Sequence, residues 1–216
     1  MQTYNDFELL RKDYRLQSLN EGEVDASPVK QFEIWWKQAI NSKIDEPNAM
    51  NLATATREGK PSTRIVLLKK VTNEGFVFFT NYESRKGKEL DENPFASIAF
   101  FWKELERQVR VEGGIEKISD GESDEYFATR PFESRIAAWS SPQSKVILNR
   151  EVLEKAANSY TTKFKAQIIP RPKHWGGYIL KPNLVEFWQG RPGRLHDRLQ
   201  YKLTADLNWK IERLAP

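Results

Sequence analysis

Between residues 50 and 118 the chain repeats one pattern: short runs rich in β-branched and aromatic residues, separated by turn formers. Residues 51–56, 62–69, 76–80, 96–102 and 108–118 read as strands, because such side chains suit a pleated, half-buried surface. Glu58-Gly59 and Asn73-Glu74-Gly75 separate successive runs as hairpin turns do, with glycine supplying a backbone conformation that other residues resist. Runs joined this closely pair antiparallel, and an antiparallel sheet that closes on itself as a barrel is the expected core.

Helical signals flank this region. Ser27-Pro28 places a capping side chain before a proline at the first helical position, which predicts a helix over 28–41. Its Phe32, Trp35, Trp36 and Ala39 recur at three- and four-residue spacing, as a core-facing stripe does. The first twenty residues read as a charged helix. Further helices are expected over 123–129, 131–139 and 142–165, followed by strands over 177–180, 185–188, 195–201 and 209–213. The fold class is therefore α+β. The 216 residues contain no Pro, Gly or Ser-rich linker, so 1–216 reads as a single domain, with residues 1–20 a candidate mobile N-terminal segment.

Composition removes several kinds of chemistry. With no cysteine there is no disulfide, thiolate nucleophile or cysteine metal site, which suits a reducing cytoplasm. Redox chemistry would need a bound cofactor. No run approaches the length of a membrane span and the N-terminus lacks an apolar signal core, so the expectation is a soluble, cytoplasmic protein. The net charge of +4 comes from nearly balanced, intermixed acids and bases, a weak signal for nucleic acid and a better match to small anionic ligands.

Five clusters point to such ligands. In Arg194-Leu195-His196-Asp197-Arg198, an extended backbone would put Arg194, His196 and Arg198 on one face and Leu195 and Leu199 on the other. That cationic face suits an anionic or aromatic partner. Ser84-Arg85-Lys86 reads as a capped helix start running to about Leu90, whose first-turn cations oppose the helix dipole unless an anion binds there. Ser141-Pro142-Gln143-Ser144 reads as another helix start, with Gln143 and Ser144 able to reach a ligand oxygen. Arg64 and Lys69 fall on opposite faces of one strand unless a bulge intervenes, which suggests two anions. Tyr126, Arg130 and Ser134 follow at four-residue intervals across a break at Pro131 and can converge on one phosphate.

The block Glu186-Phe187-Trp188-Gln189 with Arg194-Leu195-His196-Asp197-Arg198 resembles the C-terminal signature of the pyridoxine/pyridoxamine 5'-phosphate oxidase family. Arg64 to Lys69, Ser84-Arg85-Lys86, Leu105 to Val109, Gln143-Ser144 and Trp209 to Pro216 follow in that family's order, so the resemblance covers nearly the full length. It implies an antiparallel split β-barrel of the FMN-binding type with flanking helices, and a homodimer with FMN at its interface. By the same resemblance Arg64, Ile65, Val66, Leu67, Leu68, Lys69, Phe79, Thr80, Arg85, Lys86, Gln108, Gln143, Ser144, Trp188 and Arg198 are expected to hold FMN. Lys69, Tyr126, Arg130, Ser134, Arg194 and His196 are expected to bind substrate, with Arg11 and Tyr14 folding over it. Phe79 departs from the tyrosine common at its position.

The implied reaction is oxidation of pyridoxine 5'-phosphate or pyridoxamine 5'-phosphate by O2 to pyridoxal 5'-phosphate and H2O2, with NH3 released from the amine. The flavin takes a hydride equivalent from C4', and Arg194 and His196 are the expected catalytic residues. His174, outside these motifs, reads as structural, and no metal site is expected. The alternatives are a non-catalytic flavin- or pyridoxal-phosphate-binding split barrel and, more distantly, a nucleic-acid-binding module.

Overall fold

A computed structural model describes residues 13–216. The strands are β1 (Ala49–Ala55), β2 (Pro61–Leu67), β3 (Lys70–Thr72), β4 (Gly75–Asn81), β5 (Phe95–Trp102), β6 (Arg107–Lys117), β7 (Trp175–Gln189), β8 (Asp197–Leu203) and β9 (Trp209–Arg213). The helices are α1 (Pro28–Asn41), α2 (Arg85–Glu92), α3 (Asp120–Thr129), α4 (Phe132–Ser140) and α5 (Arg150–Lys163). The strands form one sheet in the order β2-β1-β5-β6-β7-β4-β3, with β8 added to β7 and β9 to β8. This is the α+β antiparallel split barrel with flanking helices that the sequence predicts. Contacts group the chain into two compact units. One holds residues up to Pro47, Ala99–Val111 and Asn183–Pro216; the other holds Asn48–Ile98 and Glu112–Pro182.

In the first unit, α1 has the predicted span. The Ser27 side chain accepts the Lys30 N–H, and Pro28 occupies the first position, where its missing N–H costs nothing. The buried face carries Phe32 and Trp35, whose rings lie 5.1 Å from Phe100 and Phe187 respectively. Burying each such side chain contributes about 2 kcal/mol. Beside them the Arg107 guanidinium is buried without a carboxylate. It lies 4.2 Å from the Trp35 ring centroid, and Gln17, Gln38 and Gln189 accept its N–H groups. Burial lowers its pKa to about 10.

The N-terminal helix expected over the first twenty residues is absent from its described part, 13–20. Glu106 explains the extended path: its buried carboxylate accepts the backbone N–H groups of Arg15 and Leu16, which an external acceptor takes out of helical pairing. The Leu19 N–H donates to Asp197 in the same way.

In the second unit β1 and β2 pair over their full length, Ala49 opposite Leu67 and Ala55 opposite Pro61. Strand β4 pairs with the first part of β7, Phe76 opposite Leu180 and Asn81 opposite Trp175. The later part of β7 belongs to the first unit and pairs with β8, Leu184 opposite Lys202. Phe127, Ile136, Phe164, Ile169 and Trp175 form the apolar cluster that binds α3, α4 and α5 together. A capping box at Ser119 and Glu122 starts α3.

The stretch 142–149 is not helical. Ser144 adopts a left-handed backbone (φ 69°), which ends any helix begun at Pro142, and the effective cap is Asn149, whose side chain accepts the Val152 N–H. Ser141 instead closes α4, its N–H donating to Ala137. The two strands expected within 177–188 are one, β7, and the short β3 was not foreseen.

Candidate active site

The second unit contains a cavity of about 640 Å³. Arg64, Lys69, Lys86 and Arg130 line it, no carboxylate among the described residues does, and Thr80, Ser134, Ser141 and Gln143 add neutral polar groups. Four cations in one concavity, of which only Arg64 has a carboxylate against it, Glu89 from behind the wall, create a field that favours anions, phosphates above all.

Helix α2 builds one wall. Ser84 caps it by accepting the Gly87 N–H, and a side chain at Gly87 would collide with the Tyr82 carbonyl, its Cβ falling 2.0 Å away. From the first turn, Lys86 donates to Thr80 Oγ1 at 3.1 Å and Gln143 Oε1 at 3.0 Å. Burial, reinforced by the nearby Arg64 charge, brings the Lys86 pKa down to about 8. An anion beside it would reverse that shift.

Arg64 is held from behind. Its Nη1 donates to Leu52 O and Thr54 Oγ1, and its Nη2 to Ser62 Oγ and Glu89 Oε2. Glu89 is buried on α2, and also accepts from the Thr54 and Ser62 hydroxyls and from Arg85 Nε. Burial alone would raise its pKa, but Ser62, Thr54, Arg85 and Arg64 outweigh it and hold the carboxyl at about 2.

Tyr126, Arg130 and Ser134 all line the cavity, as their spacing suggested. Arg130 follows α3 in extended conformation, the geometry a residue before proline prefers, and Pro131 turns the chain into α4. Its guanidinium lies 4.5 Å from the Trp175 ring centroid, and its Nη1 is buried without a hydrogen-bond partner. Burial lowers its pKa. Phe79, Tyr126 and Trp175 cluster with their rings nearly parallel, Phe79 lying 3.9 Å from Tyr126 and 5.5 Å from Trp175 by centroid, and Tyr126 6.2 Å from Trp175. The stack gives the cavity a flat aromatic wall that needs no hydroxyl from Phe79.

Arg64 and Lys69 were expected on opposite faces, yet both line this cavity. The strand carrying Arg64 ends at Leu67, and the Lys69 N–H donates to Val77, so the two-residue alternation does not extend to Lys69. Ile65, Val66, Leu67, Phe79, Thr80, Lys86 and Gln143 also line it. Leu68, Arg85 and Ser144 do not: Leu68 is buried in the core and Arg85 turns back to Glu89.

The first unit holds the other expected site residues. Arg194 and His196 are not on a strand, because Pro192–Arg194 forms a short 3-10 turn and β8 begins only at Asp197. Leu195 is accordingly exposed and Leu199 buried. Arg194 has φ 63°, an unfavourable conformation for a side-chain-bearing residue, and such strain clusters at functional sites. The His196 ring packs 4.6 Å from Trp188 and 5.9 Å from Tyr14. Its Nδ1 accepts the Arg191 N–H, which fixes the neutral tautomer with its proton on Nε2. Partial burial, then the neighbouring Arg194 charge, lower its pKa, in keeping with that neutral form.

Arg198 is clamped by the buried Glu186, Nε to Oε1 at 2.8 Å and Nη2 to Oε2 at 3.0 Å, while its Nη1 donates to Ala215 O. Gln108 lies on β6, and Arg11 lies outside the described residues. His174 donates its Nε2–H to the Ala138 carbonyl at 3.1 Å, and among the described residues no group of acids and histidines could hold a metal. Sequence reasoning gave Glu186, quoted within the C-terminal block, no role of its own, and it missed Trp175 and Glu89. Only Glu89 had a local signal, its i,i+4 spacing from Arg85.

Fold and cavity together define an α+β split-barrel protein with a cation-lined, aromatic-walled cavity whose field favours anions. Residues 36–164 match the family model described as pyridoxamine 5'-phosphate oxidase, and residues 175–216 match that of the pyridoxine 5'-phosphate oxidase C-terminal dimerisation region. The chain belongs to the pyridoxine/pyridoxamine 5'-phosphate oxidase family, and it is an enzyme of that family. It is 58% identical to the pyridoxine/pyridoxamine 5'-phosphate oxidase of Cyanothece sp. (strain PCC 7425) over 96% of this chain and 97% of that one. It is 53% identical to the enzyme of the same name from Neisseria meningitidis serogroup C over 98% and 100%. Among solved structures, PhzG from Burkholderia lata 383, in complex with tetrahydrophenazine-1-carboxylic acid, superposes with a TM-score of 0.87 at 30% identity, covering 93% of this chain and 99% of that one. An FMN-binding protein from Nostoc punctiforme, described as pyridoxamine 5'-phosphate oxidase-related, shares the fold at a TM-score of 0.69 and 18% identity, over 86% of this chain and 97% of that one.

Proposed function

We propose that this chain is the FMN-dependent oxidase of pyridoxine 5'-phosphate or pyridoxamine 5'-phosphate, forming pyridoxal 5'-phosphate and H2O2, with NH3 from the amine. It would act in the cytoplasm as a homodimer with FMN at the subunit interface, completing vitamin B6 cofactor synthesis and salvage. The observation that carries this reading is the cavity that, among the described residues, is lined by four cations and no carboxylate, and in which a buried Arg130 N–H has no partner. An unsatisfied buried donor costs about 1–3 kcal/mol, which a ligand phosphate would recover.

The residues suit FMN. Arg64 and Lys86 can take its phosphate, Thr80 and Gln143 can bond its polar edge, and Ile65, Val66 and Leu67 supply apolar surface. Bound FMN would supply the two-electron chemistry, accepting a hydride equivalent from C4' and delivering the electrons to O2. Lys69, Arg130, Ser134 and the Tyr126 hydroxyl bind the substrate phosphate in this reading. Arg194 is assigned to the pyridine ring, by cation–π contact, and to stabilising negative charge that develops on it. His196 acts as a neutral Nε2–H donor that orients the C4' substituent, because its Nδ1 already accepts from Arg191.

The test is to incubate the purified chain with FMN and pyridoxine 5'-phosphate in air and follow pyridoxal 5'-phosphate and peroxide together. Equal formation of both, lost when FMN is omitted, is expected. A yellow protein that makes neither would refute the oxidase reading in favour of flavin binding without this reaction. The similarity to PhzG makes a tetrahydrophenazine carboxylic acid the control substrate. The cations at Lys69 and Arg130 predict a strong preference for the phosphorylated compound.

A further inference from the structure

We propose that Glu89 is a positioning residue for the cofactor phosphate: from behind the cavity wall it fixes the Arg64 guanidinium in the orientation that meets the anion. The inference deepens the reading above and rests on FMN binding at this cavity.

Three observations carry it. First, Glu89 does not line the cavity, while Arg64 does, and the Glu89 side chain is only 5% exposed against 20% for Arg64. The carboxylate therefore backs the arginine and leaves its outer edge accessible. Second, Glu89 cannot readily swing into the cavity as a competing anion. Its Oε2 is bonded to Thr54, Ser62 and Arg64, and its Oε1 to Arg85 Nε at 2.8 Å. Third, the same carboxylate joins the two elements that carry the phosphate ligands. It stands on α2 with Lys86, and reaches Ser62 and Arg64 on β2 and Thr54 on β1.

Arg64 and the partly buried Lys86 repel one another where no anion is at hand, and an arginine side chain is costly to immobilise. A buried carboxylate with fixed partners meets both difficulties before the ligand arrives. Its low pKa keeps the charge in place throughout the neutral and mildly acidic range. The general principle is preorganisation: a ligand binds more tightly when the ordering of its receptor has already occurred.

The test is titration of FMN into the FMN-free full-length protein, followed by quenching of flavin fluorescence. Glu89→Gln should raise the FMN Kd about tenfold or more, the loss of one charge-assisted hydrogen bond, with kcat at saturating FMN within about twofold. Made in an Arg64→Lys background, the same substitution should raise Kd by less than about threefold, because the group it positions is gone. An unchanged Kd, or an equal loss in both backgrounds, would overturn the proposal, the latter marking a general structural role. Should Glu89→Gln not fold, Glu89→Asp keeps the charge but draws the oxygens back from Arg64 and Ser62. A raised Kd is again expected, and an unchanged one again overturns the idea. A wild-type protein that takes up no FMN would remove the cofactor reading itself, a result visible before any variant is made.

Discussion

At the scale of single residues, the site depends on how few polar groups are left free and which those are. Most arginines in the two units are clamped: Arg198 by Glu186, Arg171 by Asp120 and Asp124, Arg64 by Glu89 and two hydroxyls. Arg130 is a contrast, a half-buried side chain packed on Trp175 whose buried Nη1 is unsatisfied, as is Arg135 Nε outside the cavity lining. Replacing it by alanine should raise the KM for pyridoxine 5'-phosphate about ten- to a hundredfold while leaving FMN affinity nearly unchanged, read by steady-state kinetics beside flavin titration. His196 makes a different prediction. Its pKa is lowered by burial and then by Arg194, so acid protonates it only below the ordinary histidine range near 6.5. If the neutral Nε2–H donor is the active form, the acid limb of the kcat profile should fall below about pH 6.5, and His196→Asn should abolish that limb while lowering kcat about a hundredfold. A limb unchanged in the variant would assign it to another group.

At the scale of elements, α2 links local sequence rules to ligand binding. Its cap, Ser84, holds the first turn in which Lys86 sits, so Ser84→Ala should cost about 1 kcal/mol in urea unfolding and weaken FMN binding as well. Loss of stability without loss of affinity would separate the cap from the site. Much of this level was legible in the sequence, because hairpin strands, a proline-led helix and capped turns are encoded within a few neighbouring residues. α1 lies where Ser27, Pro28 and the aromatic spacing put it. What was not legible depends on distant partners or on single backbone angles. The path of residues 13–17 is set by Glu106, and the break after Ser141 by the left-handed Ser144. Arg194 shares that kind of conformation, so the alternation inferred for an extended 194–198 could not apply. Glu89 becomes important only because β1 and β2 bring Thr54, Ser62 and Arg64 against it.

At the scale of the whole molecule, the buried Glu89 carboxylate contributes to the response to acid. The Glu89 pKa of about 2 lies below the ordinary 4.5, so its contribution to stability is full above pH 4.5 and is lost as the pH falls from there towards 2. Comparing urea unfolding at pH 5 and pH 3, the wild type should lose on the order of 2 kcal/mol through this group, and Glu89→Gln should lose less between the same two pH values. Equal losses would place the acid sensitivity elsewhere. The strand β7 has a consequence of another kind, in time. Strand β4 is made early, but its partner is the Trp175 end of β7, and the later residues of that strand go on to β8. During synthesis the edge of β4 therefore waits, unpaired on that side, while α2 to α5 emerge, and it cannot be covered until the ribosome has passed Leu180. Pairings this distant along the chain form slowly and leave sticky edges exposed. Newly made chains should thus depend on chaperones most during the interval between β4 and β7.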